Sequence, residues 1–226
     1  MRRRDPPSAE LPQAKRFDRP GLFMIIYEEN QALYLNLTNR CPVSCRFCVK
    51  TDWDYVFKNK NLRISGPEPA PDEVIKEIET RLRSNGPSRE AVFCGFGECT
   101  YRLDVMNAVG FHLKRLHPGL RQRLNTVGLG SLIWGRDIAP ELSRYLDAVS
   151  ISLNTADPDQ WLELHRPAGK FRKEGFEAAR SFARCCVAAG IKTRVTAVDL
   201  PEVNLDALAA FARKIGAEFF VRPTLD

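Results

Sequence analysis

Three cysteines within eight residues, Cys41, Cys45 and Cys48, constrain this chain more than any other feature. They follow Leu33 to Leu37, where apolar and polar residues alternate as in a strand with one buried face. Three and two intervening residues allow a tight turn and no long excursion, so the loop can wrap its sulfurs around one object. Four cysteines would close a structural zinc site or complete a four-cysteine cluster, whereas three leave one corner of an iron–sulfur cubane open. Thiolates suit both metals. A structural zinc with a distant fourth ligand from Cys94, Cys99, His112, His117 or His165 stays open on spacing alone. A disulfide framework is disfavoured, because seven cysteines is an odd count and Met1 begins a basic, proline-broken segment rather than an apolar leader.

Ahead of the cysteines, Leu22 to Tyr27 and Ala32 to Leu37 make a hairpin around a polar turn at Glu28 to Gln31. Past them, Thr51 to Pro71 has no convincing period. Its Trp53, Tyr55 and Phe57, beside Lys58 and Lys60, are read as surface packing next to the cysteine loop. Asp72 to Ser84 then places Val74, Ile75, Ile78 and Leu82 on one helical face, with Asp72 and Glu73 at its positive end. From there strand and helix alternate. Strands are expected at Ala91 to Gly95, Arg123 to Val127, Ala148 to Leu153, Lys192 to Val198 and Glu218 to Val221. The helices between them run from Arg102 to Leu116, Ile138 to Leu146, Glu174 to Ala189 and Leu205 to Ile215, the last two stopped by Gly190 and Gly216.

Six strand–helix repeats, less the final helix, call for a parallel sheet covered by helices, either open and doubly wound or closed into an incomplete barrel. In both, chemistry collects at the carboxyl ends of the strands. One such end carries Cys94, Gly95, Phe96, Gly97, Glu98 and Cys99. There, glycine lets the backbone approach a ligand and a carboxylate can pair with an ammonium group.

The Cys-x-x-x-Cys-x-x-Cys spacing at the end of a first strand, with Phe47 before the last cysteine, resembles the signature of the radical S-adenosylmethionine (radical SAM) superfamily. The resemblance implies a [4Fe–4S] cluster with one iron on each of Cys41, Cys45 and Cys48 and S-adenosylmethionine (SAM) on the fourth. It implies reductive cleavage of SAM to methionine and a 5′-deoxyadenosyl radical that takes hydrogen from a substrate. It also selects the barrel: an α/β, single-domain (β/α)6 partial barrel over residues 21–226, with an N-terminal hairpin and no extension for an auxiliary cluster. Gly97 and Glu98 resemble the family's Gly-Gly-Glu element, which binds the SAM amino group. Phe96 departs from the second glycine, and Cys99 stands where proline is common.

By the same resemblance Asn125, Ser152 and Asn154, at later strand ends, are contacts to the SAM ribose and carboxylate. Phe47 and Arg166 are further cofactor contacts, and Asp199 and Arg222 are candidates for the substrate. Cys99 is a candidate hydrogen-atom donor, provided that it faces the cluster. From Ala32 onward the chain resembles the radical SAM proteins associated with TatD-type nucleases, above all in Leu33 to Pro42, Phe93 to Glu98 and Gly130 to Asp137. That likeness implies a possible nuclease partner and a nucleotide or nucleic-acid context. The chemistry also calls for an electron donor such as a flavodoxin or ferredoxin. Rival activities are a glycyl-radical activase and a 7-carboxy-7-deazaguanine-forming or other nucleotide enzyme. The rival outside catalysis is a zinc-stabilised nucleic-acid-binding module.

Composition sets the remaining limits. At 226 residues and 44% hydrophobic, the chain fills one core better than two. Its net charge of +6 suggests an acidic partner, yet residues 1 to 20 alone place Arg2, Arg3, Arg4, Lys15, Arg16 and Arg19 against Asp5, Glu10 and Asp18. With four prolines, that stretch reads as a flexible, solubilising tail rather than a nucleic-acid arm. No run approaches the ~18 apolar residues of a membrane span, and a cytoplasmic location is expected, where thiols stay reduced.

Overall fold

The computed structural model describes residues 23–86 and 88–223. The basic tail at residues 1–20 lies outside the described residues.

Strand β1 (Ile26–Glu29) turns through Asn30 and Gln31 into β2 (Ala32–Leu35). Both turn residues are left-handed, with φ of 50° and 63°, the geometry that matches the twist of a two-residue hairpin. A short helix α1 (Val49–Asp52) and a small ribbon of β3 (Val56–Phe57) and β4 (Lys60–Asn61) follow the cysteines. Next come α2 (Pro71–Asn85), β5 (Glu90–Phe93), a 3-10 turn (Cys99–Arg102) and α3 (Leu103–Leu116). The chain continues through β6 (Arg121–Thr126), α4 (Gly130–Trp134), α5 (Ala139–Leu142), β7 (Ala148–Ser152) and α6 (Pro158–His165). It closes with α7 (Phe171–Ala188), β8 (Lys192–Val198), α8 (Leu205–Ile215) and β9 (Glu218–Arg222).

The sheet order is β1-β2-β5-β6-β7-β8-β9, and every pairing but the first is parallel. This is the six-stranded parallel array with an N-terminal hairpin that the sequence leads one to expect. The sheet is curled. In a flat sheet β5 and β9, four positions apart in the order, would stand about 19 Å from each other. Instead Arg222 at the end of β9 feels the charge of Cys94 just past β5.

Alternation along the strands sorts the two faces. Leu33, Leu35, Phe93, Leu124, Val149 and Ile151 face the helices and are buried in the main core. Tyr34, Asn36, Cys94, Arg123, Asn125, Ser150, Ser152, Arg194 and Arg222 have the opposite parity and line the concave side. At its amino end that side holds a cavity of about 280 Å³ closed by ion pairs of Arg123 with Glu90 and of Arg194 and Lys192 with Glu218, each 2.8 Å. Its carboxyl end is the candidate site.

Two local expectations are corrected. The helix expected over Ile138 to Leu146 is only Ala139–Leu142, and a separate turn of helix, Gly130–Trp134, precedes it. Helix α6 was not anticipated, although Asp157 followed by Pro158 signals its start: the Asp157 carboxylate accepts the Gln160 N–H at 2.7 Å. The aromatic stretch after the cysteines does pack on the surface. Trp53 and Phe57 stack, and Phe57 meets Tyr27 of the hairpin.

Helices α2 and α3 are joined by one carboxylate. Glu79 Oε1 accepts from His112 Nε2 at 2.9 Å and from His117 Nε2 at 2.8 Å, and these bonds hold its carboxyl below the usual value of 4.5. A depressed carboxyl contributes stability above its unfolded pKa and loses it as pH falls through the folded one. Thermal unfolding between about pH 6 and about pH 3 should therefore show a steeper acid loss for the unaltered chain than for Glu79→Gln.

Candidate functional site

The cysteine loop is held from two sides. On one side it is stapled to the turn after α6: Val43 bridges Pro167, Ser44 N–H donates to the His165 carbonyl at 2.9 Å, and Arg46 N–H donates to the Leu164 carbonyl at 2.8 Å. On the other side the segment after β5 lies directly against it. Glu98 N–H donates to the Arg40 carbonyl at 2.8 Å. A Cβ on Gly97 would sit 2.1 Å from the Thr38 carbonyl oxygen and one on Gly95 2.2 Å from Asn36 Oδ1, so both positions exclude a side chain.

The three thiols are half-buried and free. They stand within electrostatic reach of one another, since Cys41 and Cys48 each push up the pKa of Cys45. Burial raises Cys41 to about 11, against the Val43 backbone N–H, which favours its thiolate. Burial likewise pushes Cys45 up. Of the five side chains weighed as a fourth zinc ligand, His165 is the one in contact with a loop cysteine among the described residues, its Nδ1 3.4 Å from Cys45 Sγ.

Glu98 is placed otherwise than the Gly-Gly-Glu likeness implies. Its side chain turns inward and only 2% of the residue is exposed. Oε1 accepts from Thr100 N–H at 3.1 Å and Thr100 Oγ1 at 2.8 Å, Oε2 accepts from Val127 N–H at 2.8 Å, and Thr126 Oγ1 stands 2.9 Å from both oxygens. Burial pushes its pKa up, and these bonds pull it back down. The carboxylate thus ties the loop after β5 to the end of β6. Its partners are already supplied by the protein.

Asn154 is likewise engaged within the protein. It is fully buried at φ 64°, and both ends of its amide are used: Oδ1 accepts from Val198 N–H at 3.0 Å and Nδ2 lies 3.1 Å from His165 Nε2. It orders the site from behind. Cys99 is buried to 1% in the main core, where burial pushes its thiol far up, so a hydrogen-atom donor role fails on placement. Arg166 caps α6 at φ 46° with its side chain exposed, and its carbonyl, 3.3 Å from Ser44 N–H, is what meets the cysteine loop. Asp199 is exposed, with its backbone N–H on the Arg222 carbonyl at 2.8 Å. Phe47 stays half-buried beside the cysteines, edge-on to His165. Phe96, in place of the usual glycine, packs edge-on against Tyr55.

The concave face supplies the rest. Asn125 bridges Arg123 and the Cys94 thiol. Ser152 Oγ accepts from Arg222 Nη2 at 3.1 Å. Among the described residues the Arg222 Nε is buried without a partner, and burial lowers this guanidinium's pKa. Cys94 and His165 are the residues that sequence reasoning undervalued. Cys94 shares the strand parity of the mouth residues, which could have flagged it, whereas nothing local marks His165. Its ring stacks on Trp161 with centroids 4.8 Å apart, and burial together with Arg222 pushes its pKa down to about 4, so it is neutral.

The site is thus the mouth of a curled parallel α/β sheet with three unpaired thiols on the loop after its first parallel strand. Residues 35–215 match the family model described as the radical SAM superfamily, and the chain belongs to that family. It is therefore an enzyme of a class that works with a [4Fe–4S] cluster and SAM, and the zinc alternative gives way. It is 28% identical over 185 residues to a GTP 3′,8-cyclase of Bradyrhizobium diazoefficiens, covering 80% of this chain and 48% of that protein. The GTP 3′,8-cyclase of Mesorhizobium japonicum is 26% identical, with 76% and 47% covered. The chain thus spans about half the length of the curated relatives it matches. Among solved structures, Streptococcus suis SuiB bound to S-adenosylmethionine superposes with a TM-score of 0.59 at 19% identity, covering 85% of this chain and 38% of that one. A radical SAM methyltransferase from Sphaerobacter thermophilus gives 0.59 at 16% identity, covering 88% and 57%. These likenesses show the fold. No helix among the described residues is long and apolar enough to cross a membrane.

Two substitutions probe this arrangement. Gly97→Ala forces a methyl group onto the Thr38 carbonyl; it should cost about 2 kcal/mol and speed thiol labelling of Cys41, read by chemical unfolding and alkylation rates. Thr126→Val leaves a buried carboxylate short of a donor and should cost about 1–3 kcal/mol in the same unfolding assay.

Proposed function

We propose that Cys41, Cys45 and Cys48 hold the cluster, that SAM occupies the strand ends beside it, and that the substrate is a nucleotide or a related anion. When bound and reduced, the cluster supplies the electron that turns SAM into a hydrogen-abstracting 5′-deoxyadenosyl radical, with the protein holding the parts and excluding water. The observation that carries this reading is the loop itself: three free thiols on a segment pinned from both sides over the mouth of the sheet. A fixed loop presents its sulfurs without an ordering cost at binding.

The chain's own residues then divide the work. Gly97 lets the loop after β5 close on the cysteine loop, and Glu98 locks that closure through Thr100, Thr126 and Val127. Backbone groups around Gly97 are left to meet the SAM amino group. Asn125, Ser152 and Phe47 offer contacts to the rest of SAM, with Asn154 positioning rather than touching. Arg166 and Asp199 are retained only as rim residues for the cofactor and the substrate.

Arg222 supports an anionic substrate. A guanidinium that is largely buried, has a hydroxyl as its hydrogen-bond partner and keeps an unpartnered Nε suits a phosphate or carboxylate group. The relatives named GTP 3′,8-cyclase favour a nucleotide, and the likeness to TatD-associated radical SAM proteins points the same way, with such a nuclease as a candidate partner and a flavodoxin or ferredoxin as electron donor.

The first test is electron paramagnetic resonance on anaerobically reconstituted, dithionite-reduced protein. A reduced [4Fe–4S] signal that shifts on adding SAM and is absent in Cys45→Ala is the expected result. One tightly held zinc with no reducible cluster would overturn the reading. For the substrate, GTP should bind the unaltered chain more tightly than guanosine, and Arg222→Gln should weaken GTP by about tenfold or more while leaving guanosine unchanged. Equal binding of both ligands to both proteins sinks the anionic-substrate assignment.

A further inference from the structure

His165 is a fully buried ring whose two nitrogens face different partners. Which nitrogen carries the proton follows from a chain of hydrogen bonds that begins at an obligate donor. Val198 N–H, at 3.0 Å, must meet an acceptor, which fixes the Asn154 amide with Oδ1 toward Val198. Nδ2 of the same amide then faces His165 Nε2 at 3.1 Å. An amide nitrogen only donates, so Nε2 is the acceptor and the ring proton sits on Nδ1. The Leu153 carbonyl, 3.3 Å from Nε2, would favour the other tautomer, but that would set N–H against N–H at the shorter Asn154 contact. Nδ1 lies 3.4 Å from Cys45 Sγ.

The ring cannot easily turn away from this task. It is stacked on Trp161, with planes 22° apart, and Trp161 is itself fully buried. Gly175 on α7 makes room for that indole, since a Cβ there would stand 2.6 Å from Trp161 Cη2. The staple between the cysteine loop and the α6 terminus fixes Cys45 against the ring from the other side, through the His165 carbonyl itself.

We infer that His165 is a positioning residue that donates its Nδ1–H to the Cys45 thiolate and thereby raises the reduction potential of the cluster this thiolate holds. The inference rests on the proposed ligation by Cys45. A hydrogen bond to a cluster sulfur draws off negative charge and stabilises the reduced state, which carries one more electron, over the oxidised one. The corner of the cluster nearest His165 is thus made easier to reduce by a neutral donor, without an added buried charge.

The test uses the full chain in two measurements. The three histidines can be read by nitrogen-15 resonance after labelling, with the His165 signals assigned by their loss in His165→Phe. The protonated-Nδ1 tautomer is expected, and a protonated-Nε2 ring would overturn the inference without any reference to the cluster. Redox titration of the reconstituted cluster, followed by its paramagnetic signal, is the second. His165→Phe keeps a stacked ring and removes the donor, so with iron content unchanged its potential should fall by up to about tenfold in the reduction equilibrium, about 59 mV for one electron. His165→Asn, whose amide nitrogen takes the place of Nδ1, should recover part of the fall. Equal potentials in all three proteins overturn the inference alone. An unaltered chain that takes up no cluster overturns the proposed function and this inference with it.

Discussion

A loop that carries three cysteines within eight residues cannot hold its own shape, because too few of its backbone groups can bond to one another. This protein solves the problem by giving the loop two walls. Its outer wall is the turn after α6, whose carbonyls accept from Ser44 and Arg46, and its inner wall is the glycine-bearing segment after β5. The inner wall follows a strand end and the outer wall a helix end, so the loop's geometry inherits the rigidity of the elements on either side. The short connection after the first parallel strand, the glycines at 95 and 97 and the left-handed cap at Arg166 are parts of one constraint.

Behind the loop lies a layer of buried polar groups that is almost completely paired. Glu98 gathers its donors from the 3-10 turn and β6, and Asn154 joins β7 to β8 while steadying His165. Such a layer is costly if any member is missing and specific when all are present. It also explains why side chains that a motif would assign to the cofactor are turned away from it. The mouth is ordered by carboxylate and amide groups that face inward. Among the described residues the exceptions near the site are Asn36 Oδ1, Trp161 Nε1 and Arg222 Nε.

Sequence alone determined the parallel α/β array, its strand count and the hairpin, because hydrophobic period and glycine stops are local properties. It likewise determined the three cysteines, since their spacing permits a common ligand in nearly any fold. It could not determine which face a polar side chain would take at a strand end. Glu98 and Asn154 carry the right chemistry for cofactor contacts, yet their neighbours across the sheet, Thr126 and Val198, claim them first. Cys99 sits beside a candidate site in sequence and inside the hydrophobic core in space. The place of His165 was decided wholly by tertiary structure: it lies 120 residues from Cys45 in the chain, and only the staple between α6 and the cysteine loop makes them neighbours. Local pattern encodes elements and ligand spacing, whereas the direction of a side chain at a junction depends on contacts that exist only once the sheet has curled.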